Sequence, residues 1–275
     1  MNLLARCTFP TGDVTCAVSG GADSLALLVL AVEAGCRATA VHVDHGLRPG
    51  SADEADVVGQ AAARYGAAFR AEKVDVAPGP NLEARARAAR YAVLPPDVLT
   101  GHTADDQAET VLLNLLRGAG LDGLAGMRPQ GHPILALRRA ETHALCRAEG
   151  LTPIADPSNA DPLHRRNRVR HELIPLLDDI AQRDVIPVLA RQAALLRDDA
   201  EALDDALLDP TDAAALAAAP PALARRAVRR WLTTDHPPDA ATVERVLAVA
   251  RGEARATDAG QGRRVARTAK VLRLE

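Results

Sequence analysis

Three clusters in the chain carry side chains that could do chemistry together. The first is Ser19-Gly20-Gly21-Ala22-Asp23-Ser24, set between the apolar Val14–Val18 and the run Leu25–Leu30. Gly20 and Gly21 lack Cβ, so the chain can turn sharply and bring its N–H groups close to a ligand. At the mouth of a helix such groups form an anion site, and the anion expected is the phosphate chain of a nucleotide. A kinase-type loop ends in Gly-Lys-Ser/Thr, whose lysine reaches the outer phosphates. Here Asp23 and Ser24 stand in that place, with no lysine near. An aspartate beside phosphates is repulsive unless a cation lies between them, which points to Mg²⁺ and to a different bond being broken. A plain Gly-Gly turn capped by Asp23 or Ser24 would need no ligand; the full motif between strand and helix argues against it.

The second cluster is His102, Asp105, Asp106 and Glu109. Asp106 and Glu109 are three apart and share a helix face, as do Asp105 and Glu109, four apart. Compensation of the helix dipole explains one acid in a first turn comfortably and three poorly. The third cluster is Arg165, Arg166, Arg168 and Arg170, with His164 and His171, around Asn167. No acid interrupts it, so it reads as a phosphate or nucleic-acid contact rather than a solvated face. Arginines at 225, 226, 229, 230, 263, 264, 267 and 273, with Lys270, add to that reading. Only 2% of residues are aromatic, so base stacking has to be limited. Asp44 and His45 offer a ribose or base contact, or simply a turn.

Strand and helix alternate about five times up to Glu149, the last strand of the series being Ile134–Leu137. We therefore expect an α/β domain with a doubly wound, parallel, five-stranded, Rossmann-like sheet. Ser51 to Glu54 reads as a capping box, and Asn81 as a further helix cap. Strand ends at Ser19, Asp44 and Gly101-His102 place the polar clusters on the carboxyl edge, where ligands bind in such folds. From about Pro187 the chain is alanine-rich and helical, with an acidic stretch over 198–212 and a basic terminal hairpin. The expected division is residues 1–185, catalytic, and 186–275, a smaller mainly helical domain with a short β element that binds nucleic acid.

At 275 residues and 48% hydrophobic content, two domains with real cores are affordable at about 150 residues each. The four cysteines form no Cys-x-x-Cys pair, which argues against a zinc knuckle, an iron–sulfur site or a disulfide scaffold. Met1–Pro10 has one charge and no long apolar core, and no apolar run approaches about 18 residues. A soluble cytoplasmic protein without a membrane partner is expected.

Together these motifs resemble the ATP-pyrophosphatase-loop enzymes, and within them the bacterial tRNA(Ile)-lysidine synthetases. The resemblance rests on Ser19–Ser24, on His42-Val43-Asp44-His45-Gly46-Leu47-Arg48 and on Arg87-Ala88-Ala89-Arg90-Tyr91. It continues in Gly101–Thr110 with Arg117-Gly118-Ala119-Gly120-Leu121, in Asp156-Pro157-Ser158-Asn159, and in Arg166-Asn167-Arg168-Val169-Arg170 with Pro175. It covers about residues 14–180; beyond them only the layout is similar. The family's Arg-Pro-Leu-Leu stands here as His132-Pro133-Ile134-Leu135, so a permanent charge is lost.

The resemblance implies ATP-dependent ligation of free L-lysine to C2 of the wobble cytidine of a tRNA(Ile) with a CAU anticodon. ATP first adenylates the cytidine, and the lysine ε-amine then displaces AMP. It implies ATP and Mg²⁺ contacts at Ser19, Gly20, Gly21, Ala22, Asp23, Ser24, His42, Asp44, Gly101 and His102, the metal lying on Asp23 and Asp106. Catalytic roles fall to Asp23, Asp106, Glu109 and Arg166. Contacts to tRNA fall to Arg87, Arg90, Arg117, Arg166, Asn167, Arg168 and Arg170. A homodimer is compatible with it. The alternatives are a tRNA 2-thiolation enzyme on the same loop, disfavoured by the unpaired cysteines; a general adenylating amidotransferase, which leaves the arginine block unexplained; and a non-catalytic tRNA-binding protein, disfavoured by intact Asp23, Asp106 and Glu109.

Overall fold

The computed structural model describes residues 2–44, 46, 51–76, 79, 82–154, 161–206, 208–234 and 236–275. His45, Leu47–Gly50, the Asn81 cap, the Asp156–Asn159 motif and the side chain of the Ser51 cap lie outside them.

Small side chains let β1 (Asp13–Ala17) be covered on both faces, and Cys16 is fully buried. The strand is followed by α1 (Ala22–Glu33), β2 (Arg37–Asp44), α2 (Ser51–Arg64), β3 (Ala68–Lys73), α3 (Leu82–Val93), β4 (Leu99–Thr100), α4 (Ala104–Leu116), the short α5 (Leu121–Leu124) and α6 (Arg139–Ala148). α1 is apolar all round, with Leu25, Leu27, Leu28 and Leu30 at most 1% exposed. Such a helix has to be enclosed on every side, and it packs against β1, β2, α2 and α6.

The strands run parallel in the order β3-β2-β1-β4. This is the expected parallel α/β architecture, but with four strands among the described residues, not five. The expected fifth strand, Ile134–Leu137, is a pair of turns: Leu135 N–H donates to His132 O and Leu137 N–H to Ile134 O. Ile134 and Leu137 still reach the core, both fully buried. A four-residue apolar run does not distinguish a buried turn from a buried strand, and Pro133 ahead of it lacks the N–H a ladder needs.

The strand order reverses between β1 and β4, which opens a crevice at their carboxyl ends. Gly101, directly after β4, lies against the start of α1: a Cβ there would stand 2.6 Å from the Asp23 carbonyl oxygen. Only glycine lets the two loops meet so closely.

Beyond α6 come α7 (Arg165–Arg168), a π turn over Val169–Leu173, α8 (Ile174–Ala181) and α9 (Ile186–Asp205). Pro175 has no N–H to bond His171 O in an ordinary turn, and the wider turn stands directly before it.

Contacts divide the chain into two compact units, Met1–Arg197 and Asp198–Glu275. The boundary expected from composition, at 185/186, is the first turn of α9; the contacts change over inside that helix. The second unit contains α10 (Ala213–Ala218), α11 (Pro221–Leu232), α12 (Ala240–Arg251), β5 (Ala256–Gly260), β6 (Arg263–Thr268) and β7 (Val271–Leu274). Its core is aliphatic: Leu216, Val228, Leu232, Val246, Val265 and Leu272. The expected hairpin is one strand larger, an antiparallel sheet β5-β6-β7, because β5 (Ala-Thr-Asp-Ala-Gly) has too little apolar alternation to read as a strand. Several of its arginines are used internally, Arg226 and Arg230 on Asp204 and Arg225 on Glu244. Among the described residues no helix is long and apolar enough to cross a membrane.

Candidate active site

The loop after β1 is shaped from within. Gly20 takes φ +85°, a conformation costly for any side chain, and a Cβ there would also stand 2.5 Å from Ile154 Cδ1. Gly21 is the N-cap of α1 and Ala22 its buried first residue. The Ser24 hydroxyl donates to Gly21 O at 2.8 Å and accepts from Ser19 N–H at 3.1 Å. Behind the loop, His42 in β2 is 2% exposed. Its Nδ1 lies 3.0 Å from Val18 O, so the proton belongs there and Nε2 is left as an acceptor. Among the described residues that Nε2 meets no partner. A buried orphan acceptor of this kind marks a place for a ligand donor. Asp44, at the end of β2, accepts from Gly46 N–H at 2.8 Å, a local turn.

The acids after β4 meet the arginines in one cluster. Glu109 is fully buried and its carboxylate is held by three guanidiniums. Arg166 Nε donates to Oε2 at 2.6 Å, Arg170 Nε to Oε1 at 2.7 Å, and Arg139 Nη1 to Oε1 at 3.2 Å. Asp106 accepts at Oδ1 from Arg139 at 2.9 Å and Arg166 at 3.2 Å. Its Oδ2 accepts from the backbone N–H and hydroxyl of Thr103, the N-cap of α4, at 2.8 and 2.9 Å. Asp23 reaches the same place from α1: its Oδ2 lies 3.5 Å from Arg139 Nε, and its Oδ1 meets the Thr142 hydroxyl. Asp105 is turned elsewhere, accepting from Arg138 Nε and from Arg139 N–H at 3.1 and 2.8 Å. It caps α6 and stands apart from the other two acids.

Environment separates the two aspartates. Burial raises the Asp23 carboxyl above its ordinary range, Thr142 only partly opposing it. Burial pushes Asp106 the same way, but Arg139, Arg166 and the Thr103 N–H outweigh it and hold Asp106 low. Burial also works against the Arg139 charge, yet Asp106, Glu109 and Asp23 raise its pKa.

His102, half-buried, bonds Thr100 Oγ1 at 2.8 Å and stands 4.9 Å from the His132 ring, ring centre to ring centre. The histidine that replaces the family arginine is thus beside a motif residue. Burial pushes the His102 imidazole down to about 4. The unfolded chain protonates it near pH 6.5, so below that pH the unfolded state binds more protons. Stability should therefore fall between roughly pH 6.5 and 4, by up to about 3 kcal/mol. Denaturant titrations across that window should show a shallower fall for His102→Gln; an unchanged slope would mean another group controls it.

The remaining expected residues scatter. Arg166 and Arg170, four apart, point inward at Glu109, whereas Arg168 points out and pairs with Glu172 at 2.8 Å. Asn167 is buried and donates to Asp161 O at 2.8 Å. Arg87 is exposed over the Tyr91 ring, and Arg90 sits on the same ring at 5.3 Å. Arg117 is exposed and lines a groove of about 530 Å³ with Thr110, Asn114, His164, Arg165 and Arg166. A cavity of about 570 Å³ bordering Ala104, Gln107 and Arg138 contains none of the three clustered carboxylates.

Arg139 and Thr142, on α6, are the site residues that motif reading missed. One signal was available: Arg138-Arg139 opens a helix, where the dipole disfavours cations. Two in succession imply buried acids opposite.

A PP-loop domain profile matches residues 2–177, and a TilS substrate binding domain profile matches residues 212–272. The tRNA(Ile)-lysidine synthase of Rhodococcus erythropolis is 45% identical over 246 residues, 81% of this chain and 74% of that protein. That of Nocardia farcinica is 46% identical over 242 residues, 80% of this chain and 75% of its own. That of Mycobacterium tuberculosis is 42% identical over 237 residues, 78% of this chain and 73% of its own. Among solved structures, the U34-tRNA thiolase NcsA from Methanococcus maripaludis with its 4Fe–4S cluster superposes with a TM-score of 0.53 at 16% identity. That match covers 71% of this chain and 77% of the thiolase and concerns the fold alone. With its PP-loop domain, its substrate binding domain and relatives alike over most of their length, the chain belongs to the tRNA(Ile)-lysidine synthase family.

Proposed function

We propose that the chain ligates free L-lysine to C2 of the wobble cytidine of a tRNA(Ile) with a CAU anticodon, consuming ATP through an adenylated cytidine. Family membership supports the reaction. The observation that carries the chemistry is the convergence of Asp23 from the nucleotide loop with Asp106, Glu109, Arg139 and Arg166 at the sheet's switch point.

In the first step the cytidine O2 attacks the α-phosphorus and pyrophosphate leaves. The N–H groups at the start of α1 hold the phosphates, and Arg139 and Arg166 face the charge that develops. The His42 Nε2, without a partner among the described residues, is placed to accept from the nucleoside part. In the second step the lysine ε-nitrogen bonds to C2 and AMP departs with the electron pair. Lysine arrives as an ammonium and has to lose a proton before it attacks. Asp106, held ionised beside Arg139 and Arg166, suits gripping that cation.

The donors fit Mg²⁺, a hard cation that takes oxygen ligands, and Asp23 and Asp106 would hold it together with the nucleotide. Among the described residues no group of three His, Cys, Asp or Glu side chains forms a protein-only cage. When bound, Mg²⁺ would supply neutralisation of triphosphate charge. The tRNA contacts fall to the exposed Arg87, Arg117 and Arg168 and the half-buried Arg90; the second unit, Asp198–Glu275, would lie within the tRNA-binding domain expected over 186–275. A cytoplasmic location and a homodimer complete the proposal.

The thiolation alternative needs a reactive thiolate. Burial holds Cys16 up at about 12 and Cys7 and Cys146 at about 11, and raises Cys36 as well, which disfavours a thiolate near neutrality at all four. ATP–pyrophosphate exchange separates the readings. Exchange should need tRNA and proceed without lysine; exchange with lysine but no tRNA would mean that the amino acid, not the base, is adenylated.

A further inference from the structure

The two carboxylates assigned above to a divalent cation are already bridged. The Arg139 guanidinium lies 3.5 Å from Asp23, 2.9 Å from Asp106 and 3.2 Å from Glu109. Arg166 also pairs with Asp106 and Glu109, and Arg170 with Glu109. Among the described residues, Asp23 forms its ion pair with Arg139 alone. Arg139 is therefore what joins the nucleotide loop to the acids after β4.

Charge counting gives this bridge a consequence. Asp23, Asp106 and Glu109 carry three negative charges; Arg139, Arg166 and Arg170 carry three positive ones. The cluster is neutral as it stands, and Asp106 and Glu109 are buried in it. A divalent cation added alone would leave two uncompensated positive charges in a poorly solvated place and would compete with a guanidinium for the same oxygens. Nucleotide phosphate removes both obstacles. It brings negative charge, and it offers two oxygens that the planar guanidinium fork can engage together. Arg139 opens α6, where the helix dipole already disfavours a cation. Glu109 would hold it while it releases the aspartates.

We propose that Arg139 is the resident cation of the Asp23–Asp106 pair and yields it to Mg²⁺ only in exchange for nucleotide phosphate, so that metal enters with ATP and not before it. This rests on the reading that Asp23 and Asp106 hold Mg²⁺. Arg139 is then a positioning residue in the empty site and a phosphate ligand in the filled one.

The test is equilibrium dialysis of the full chain against Mn²⁺, with and without α,β-methylene-ATP. Wild type should retain Mn²⁺ only with the nucleotide. Arg139→Gln should bind Mn²⁺ without nucleotide, roughly tenfold or more tighter than wild type, a coupling of ordinary size. Adding Asp23→Asn to that variant should remove the gained site. If Arg139→Gln does not fold, Arg139→Lys serves: it keeps the charge on a group that cannot span three carboxylates, and should also gain nucleotide-independent binding. Wild type binding Mn²⁺ alone as tightly as the variant would overturn the exchange while leaving the metal site standing. No retention of Mn²⁺ by wild type even with nucleotide would overturn the metal reading itself.

Discussion

Glu109→Ala is expected to destabilise the Met1–Arg197 unit by about 3–5 kcal/mol, the usual result of breaking a buried charge network from one side. Glu109 is fully enclosed and bonds Arg139, Arg166 and Arg170. Without it three half-buried guanidiniums share the two carboxylates of Asp106 and Asp23, and one positive charge is left uncompensated. Three elements lose their shared anchor: α4, α6 and the α7–π-turn segment. Urea unfolding followed by circular dichroism measures this, as a lower midpoint for the variant. An unchanged midpoint would mean that solvent reaches the arginines and the cluster does not hold these elements together.

Asp106→Asn should separate chemistry from folding. Asparagine keeps a side-chain oxygen to accept from Thr103 N–H, so the start of α4 survives. The negative charge facing Arg139 and Arg166 is lost, and with it the grip on a cation. The expected loss of stability is about 1–3 kcal/mol, the worth of hydrogen bonds to a charged group. Transfer of radiolabelled lysine to tRNA is expected to fall by roughly 10²-fold or more. Wild-type transfer rates in a folded variant would remove Asp106 from the mechanism.

The parts of this site legible in the sequence are those whose partners are near in the chain. The Ser19–Ser24 loop is a strand-to-helix turn whose hydrogen bonds close within five residues. Asp106 and Glu109 share a face by helix periodicity alone. The same rule separates Arg166 and Arg170 from Arg168, although composition makes the three look alike. What spacing does not give is the partner across the fold. Arg139 lies 30 residues from Glu109 and over a hundred from Asp23 in the chain, and only tertiary packing joins them. Asp105 looked equivalent to Asp106 until packing sent it to cap α6. Ile134–Leu137 fills the core as a strand would, but from a turn. The β5 strand was hidden because its residues have weak strand preference and gain theirs from pairing with β6.

The most direct measurement is to offer each of the twenty amino acids, with ATP, to the full chain and a tRNA bearing a CAU anticodon. Lysine alone should become joined to the wobble cytidine, with AMP and pyrophosphate released in equal amounts. Joining of a different amino acid, a sulfur-bearing product, or no modified tRNA under any of these conditions would contradict it.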